Sequence, residues 1–205
     1  MSSPLRSAAL LLLVAGAFAV PPAPLSTNHS TVYIIRHGEK TWGGGCLNTQ
    51  GQERANVLHK IFTGAPSEKH ALLKVPTKVF ADQYRDGVDC ERCWNTVEAL
   101  SQALNLTTEF DHGHTYNGGN AAAAAAIKEA SLTQPVILAA WEHVNIQFLT
   151  AFLGVSKSQI PRWSGEDYDT VYHLELDSTG ALSSFEVLHQ NYKPCSTVGH
   201  YTPCK

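Results

Sequence analysis

Two short runs of residues limit what this chain can fold into. Residues 31–35, Thr-Val-Tyr-Ile-Ile, and 135–141, Pro-Val-Ile-Leu-Ala-Ala-Trp, are apolar or β-branched at nearly every position. A strand with one face in water alternates polar with apolar side chains. A run that does not alternate, and is too short for a helix, is a strand buried on both faces, as in a parallel sheet covered on each side by helices. Both runs stop abruptly in polar residues, the first in Arg36-His37-Gly38-Glu39 and the second in Glu142-His143.

The intervening chain has helical periods. After Gly43-Gly44-Gly45, Asn48 is placed to cap a helix whose Ala55, Leu58, Ile61 and Phe62 recur at helical spacing, with Gly64 and Pro66 ending it. Residues 78–81 predict a short strand, and 92–104 a helix with Val97, Leu100 and Leu104 on one face. The alanine run 121–126 predicts a helix reaching about Ala130. Another helix follows His143, with Ile146, Leu149 and Phe152 inward and Gly154 at its end. Residues 170–176 and 183–189 read as two strands joined through a turn at 177–180. Strands alternating with helices predict an α/β fold, a three-layer sandwich with a mostly parallel central sheet flanked by helices. With 205 residues, 43% of them hydrophobic, one domain over 31–205 is expected.

Residues 1–19 read as a secretory signal peptide: Arg6 supplies the positive region, 8–18 the apolar stretch and Ala17-Phe18-Ala19 the cleavage pattern. The apolar run is shorter than the roughly 20 residues a membrane anchor needs. Residues 20–30, rich in Pro, Ser and Asn, read as a flexible lead-in. The expected product is a secreted protein without a membrane attachment. Losing Arg6 makes a chain of net charge −3 more acidic still, which excludes nucleic acid as a partner on electrostatic grounds. Asn28-His29-Ser30 and Asn105-Leu106-Thr107 are N-glycosylation acceptors consistent with that route. An oxidising compartment favours disulfides. Cys195 and Cys204 are expected to close a short C-terminal loop, leaving Cys46 to pair with Cys90 or Cys93. Oligomeric state is not readable.

In open α/β sheets, ligands bind beyond the carboxyl ends of the strands, where helix N-termini point. His37 and His143 both stand there, so one crevice can hold them although they lie far apart in sequence. Arg36 adds a bidentate cation suited to phosphate oxygens, and Gly38 leaves room for backbone to approach a ligand. The loop 156–169, with Trp163 and Tyr168, is a candidate pocket wall.

On these residues the chain resembles the histidine phosphatase, or phosphoglycerate mutase-like, superfamily over roughly residues 31–190. The most specific element is Arg36-His37-Gly38-Glu39. Leu47-Asn48-Thr49-Gln50-Gly51 with Glu53-Arg54-Ala55 is similar to the family's next helix start. The segment 92–100 is similar to the helix of the second arginine, which precedes a threonine by four positions. Thr96 therefore selects Arg92 over Arg85. Trp141-Glu142-His143 is similar to the second-histidine element of a small-protein branch.

The resemblance implies a phosphatase acting on a small phosphorylated substrate, with no metal and no cofactor. His37 would be the nucleophile, and Arg36, Arg92 and His143 would surround the phosphoryl oxygens. The acid phosphatase branch has an acidic residue directly after the second histidine; here that position is Val144, so the proton donor is open. Glu142 is the first candidate, although successive strand residues point to opposite faces, and Glu39, Glu109 and Asp111 remain. A silent binding protein on the same scaffold and a mutase are the alternatives. A metal site at Asp111-His112-Gly113-His114 fits known spacings poorly.

Overall fold

The computed structural model describes residues 29–41, 45–64, 73–83, 91–113 and 116–195. Along it run β1 (His29–Arg36), α1 (Thr49–Ile61), β2 (Lys78–Asp82), α2 (Arg92–Ala103), β3 (Thr108–His112), α3 (Tyr116–Ser131), β4 (Val136–Trp141), α4 (His143–Phe152), β5 (Thr170–Asp177) and β6 (Leu182–His189). The six strands form one sheet in the order β3-β2-β4-β1-β5-β6. β3, β2, β4 and β1 run parallel to one another, while β5 pairs antiparallel with β1 and β6 antiparallel with β5 at one edge.

Alternation along the two central strands sorts their side chains to two faces. Val32 and Ile34 of β1, with Ile137, Ala139 and Trp141 of β4, meet Ala123 and Ile127 of α3 and Ile146, Leu149 and Leu153 at α4. Tyr33 and Ile35, with Leu138 and Ala140, meet Leu58 and Ile61 of α1 and Cys93, Val97 and Leu100 of α2. Two helices on each side make the expected three-layer α/β sandwich.

Several boundaries differ from the sequence reading. β1 begins at His29, because Ser30 and Thr31 pair with β5 and Ser30 also reaches the Gln134 carbonyl. α3 begins at Tyr116, ahead of the alanine run. Phe152 is exposed at 43%, and Leu153 is buried in its place, since 146, 149 and 153 keep one helical face. β3 has no counterpart in the expected elements. It is an edge strand bonded on one side only, so it needs no apolar run.

Cys93 is a buried thiol in the α2 core, which removes it as the partner of Cys46. Cys90, Cys204, Asn28, Arg85, His114 and the leader lie outside the described residues. Among the described residues, no helix is long and apolar enough to cross a membrane.

Candidate active site

β1 and β4 are parallel neighbours, yet the chain leaves them in opposite directions, toward α1 on one face and α4 on the other. Such a divergence opens a crevice beyond the strand ends. His37 occupies it, its amide still donating to the Trp141 carbonyl at 3.1 Å. The imidazole is fully buried, with Nδ1 2.7 Å from the Gly38 carbonyl. A carbonyl only accepts, so Nδ1 carries the proton and Nε2 keeps its lone pair. Nε2 has no hydrogen-bond partner among the described residues. Burial pushes the imidazole down to about 2, and the charges of Arg92, Arg36 and His143 add to this against the Gly38 carbonyl. The ring is therefore neutral near physiological pH.

Arg36 is buried and anchored from one side. Nη1 donates to the Gly165 carbonyl at 2.6 Å and the Asp167 carbonyl at 3.1 Å, and its Cζ lies 3.9 Å above the Tyr168 ring. The Tyr168 ring also stands edge-on to His37, with centroids 6.1 Å apart. The loop thus fixes Arg36, and Nε is left without a hydrogen-bond partner among the described residues. Trp163 does not wall the site: its ring packs on Tyr172 at 4.7 Å, in the core under α4.

Arg92 opens α2, and a threonine one turn later explains its spacing. The Thr96 hydroxyl donates to the Arg92 carbonyl at 2.7 Å and accepts the Gly38 amide at 2.8 Å. The first turn of α2 is thereby tied to the residue after His37. Gly45, at a φ of +65°, lies against the guanidinium, where a Cβ would come within 2.7 Å of Nη1. α1 closes in from another side: a Cβ on Gly51 would stand 2.1 Å from the Glu39 carbonyl oxygen. Asn48 caps that helix by accepting the Gly51 amide at 3.0 Å.

Glu142 and His143 form the opposite wall. β4 ends at Trp141, so Glu142 escapes strand alternation and becomes the N-cap of α4, accepting the Val144 amide at 2.9 Å. Its other oxygen lies 2.9 Å from His143 Nδ1. Burial raises the Glu142 carboxyl, but His143, the Val144 amide and Arg92 outweigh it and hold the group below its ordinary value. One ligand atom each from His37, Glu142 and His143 lie within 4.8 Å of one another. A metal ion among them would face the charges of Arg36 and Arg92; the surroundings suit an anion.

Two of the other candidate carboxylates are paired with cations, and the third is exposed on the edge strand. Glu39 pairs with Arg54 at 2.8 Å, and Glu109 pairs with Lys78 at 2.7 Å. Asp111 is exposed on β3, and His112 faces Glu109 at 3.4 Å. One carboxyl absent from the sequence candidates stands at the crevice. Asp82 ends β2, is 2% exposed, and accepts the Glu142 amide at 3.2 Å through Oδ2. Its place at a strand end is the signal that marks His37 and His143, and it applies equally to residues 78–81.

No family model and no curated protein matches the chain by sequence. Solved structures do. The protein histidine phosphatase SixA complexed with tungstate is similar over 78% of this chain and 97% of its own, with TM-score 0.55 at 17% identity. The alpha-ribazole phosphatase from Shigella flexneri matches over 82% and 100%, with TM-score 0.55 at 13% identity. A mycobacterial glucosyl-3-phosphoglycerate phosphatase matches over 78% and 97%, with TM-score 0.52 at 13% identity. The chain has the histidine phosphatase fold. Within that fold, His37 and His143 end the adjacent strands β1 and β4, and Arg92 enters from the helix after β2.

Proposed function

We propose that this protein is a histidine phosphatase that hydrolyses phosphate monoesters through a phosphohistidine on His37. The observation that carries the reading is the neutral His37 ring, with its Nε2 lone pair unengaged beside two buried arginines. In the first step Nε2 bonds to phosphorus, the bond to the leaving oxygen breaks, and that oxygen takes its proton from solvent water. In the second, water attacks phosphorus, the N–P bond breaks, and inorganic phosphate leaves. Arg36, Arg92 and His143 balance charge spread over the phosphoryl oxygens. Glu142, held ionised, is placed as base rather than acid, to receive a proton from the attacking water directly or through His143.

Beside the centre, a cavity of about 450 Å³ is lined by Tyr168, Asp167, Asp169, Glu39, Arg54 and Tyr192. It adjoins the ring that covers Arg36 and offers room for the organic part of a substrate. The glucosyl-3-phosphoglycerate and alpha-ribazole phosphatases of the same fold support the substrate class, and the tungstate bound to SixA, a protein histidine phosphatase, supports an oxyanion site.

The test is turnover of p-nitrophenyl phosphate by the mature protein, with His37→Ala alongside. Substitution of the nucleophile should lower the rate by roughly a thousandfold or more and remove acid-labile phosphate incorporation. A His37→Ala protein within tenfold of the parent would falsify the assignment. The reading extends to secretion: residues 1–19 have leader character, and Asn105 is an exposed acceptor at the end of α2. N-terminal sequencing of protein recovered from culture medium tests this, with a start near Val20 expected.

A further inference from the structure

The corner carrying Glu142 and His143 rests on Asp82. Its carboxyl closes β2, accepts the Glu142 amide at 3.2 Å and has the Gly113 backbone against it, where a Cβ would stand 1.8 Å from Oδ1. Each element packed there presents a titratable or charged group. The start of α4 brings Glu142, α2 brings Arg92 and Glu91, and β3 brings His112, which is paired with Asp82 in the ladder. A negative charge on Asp82 would repel the Glu142 carboxylate that faces His143, and would draw on the Arg92 charge intended for a phosphoryl group. A neutral Asp82 does neither and still accepts the amide through its carbonyl oxygen.

We propose that Asp82 is a positioning residue that holds the Glu142–His143 corner through the Glu142 amide, and that the site grips anions best while Asp82 is uncharged. Burial and the neighbouring Glu142 carboxylate push the Asp82 carboxyl up to about 7, against the Glu142 amide and Arg92. Asp82 thus loses its proton near neutral pH, and anion affinity falls as pH rises through that point. The inference rests on the phosphatase reading only for its effect on turnover, because anion binding can be measured without catalysis.

The experiment compares wild type with Asp82→Asn, which keeps the acceptor and cannot ionise, and with Asp82→Ala, which loses both. Tungstate binding by calorimetry and p-nitrophenyl phosphate turnover are followed from pH 6 to 9, with circular dichroism confirming the fold. Wild-type affinity should fall by up to about a hundredfold more across this range than that of Asp82→Asn, since with the carboxyl near 7 its neutral fraction drops about tenfold per pH unit above that value. Asp82→Ala should bind weakly at every pH. Identical pH profiles for wild type and Asp82→Asn would overturn the proposal. So would an Asp82→Asn protein that binds tungstate normally but turns over nothing at any pH, which would make Asp82 a direct proton donor. If tungstate binding behaves as expected but the wild type has no turnover, the phosphatase reading fails and the Asp82 inference stands.

Discussion

The amide of Gly38 donates to the hydroxyl of Thr96 at 2.8 Å, so the residue after the buried His37 is held by a helix from 58 positions away. Thr96 is fully buried and also caps back to the Arg92 carbonyl. Thr96→Val keeps the shape and removes the acceptor, leaving a buried amide unsatisfied at a cost of about 1–3 kcal/mol. Thr96→Ser restores the hydroxyl and should recover most of the loss. Thermal unfolding and turnover of the two variants check this together; equal stability of the valine and serine proteins would show that the bond carries no weight.

Arg92 lies against Gly45 at the mouth of α2, and its role depends on a planar fork rather than on charge alone. Arg92→Lys should cost activity by roughly ten- to a thousandfold, about 1.4–4 kcal/mol of transition-state stabilisation. Inhibition by inorganic phosphate should weaken with it. Arg85→Lys should be close to silent. The reverse pattern in a kinetic comparison of the two variants would move the second phosphate ligand to Arg85.

Gly51 is the position with least tolerance in the first turn of α1. Its missing Cβ would collide with the Glu39 carbonyl at 2.1 Å, and backbone rather than a flexible side chain would have to give way. Gly51→Ala should destabilise by about 1–3 kcal/mol, the usual cost of overpacking, or more. It should also lower turnover, because Gly38 packs on the same glycine. Gln52→Ala, one residue on and exposed, is the control and should leave both quantities unchanged. A Gly51→Ala protein that melts with wild type would mean that α1 and the Glu39 loop part easily.

Much of this is legible in the sequence, and the exceptions have physical reasons. β1 and β4 announce themselves because a strand buried on both faces cannot hide its composition, and the histidines at their ends follow from that. Arg92 is identifiable through Thr96, whose hydroxyl turns out to bridge α2 to Gly38. β3 is not legible: an edge strand carrying Glu109, Asp111 and His112 looks like a loop. Strand alternation counts against Glu142 only while Glu142 is assigned to the strand; β4 stops one residue earlier, and the N-cap geometry turns the carboxylate to His143. Asp82 closes β2, one residue beyond the strand that 78–81 predict, so the strand itself is legible but its last residue is not. Its burial and its bond to the Glu142 amide depend on β2 lying next to β4, which no local pattern reveals.

The two carboxyls at that corner respond to acid with opposite signs. Glu142 is held below its ordinary value in the folded protein, since His143, the Val144 amide and Arg92 outweigh its burial. Its contribution is complete above the unfolded value and is lost as pH falls through the folded one. Asp82 is raised by burial to about 7, so its favourable contribution is present below the unfolded value of 3.8 and disappears as pH rises through the folded one. Glu142→Gln should therefore lose stability relative to wild type near neutral pH, by on the order of 1 kcal/mol, with the difference shrinking below about pH 4. Chemical denaturation at pH 3.5, 5 and 7.5 measures it. A Glu142→Gln deficit that stayed constant across those three values would mean that the carboxylate charge on His143 contributes nothing to the fold.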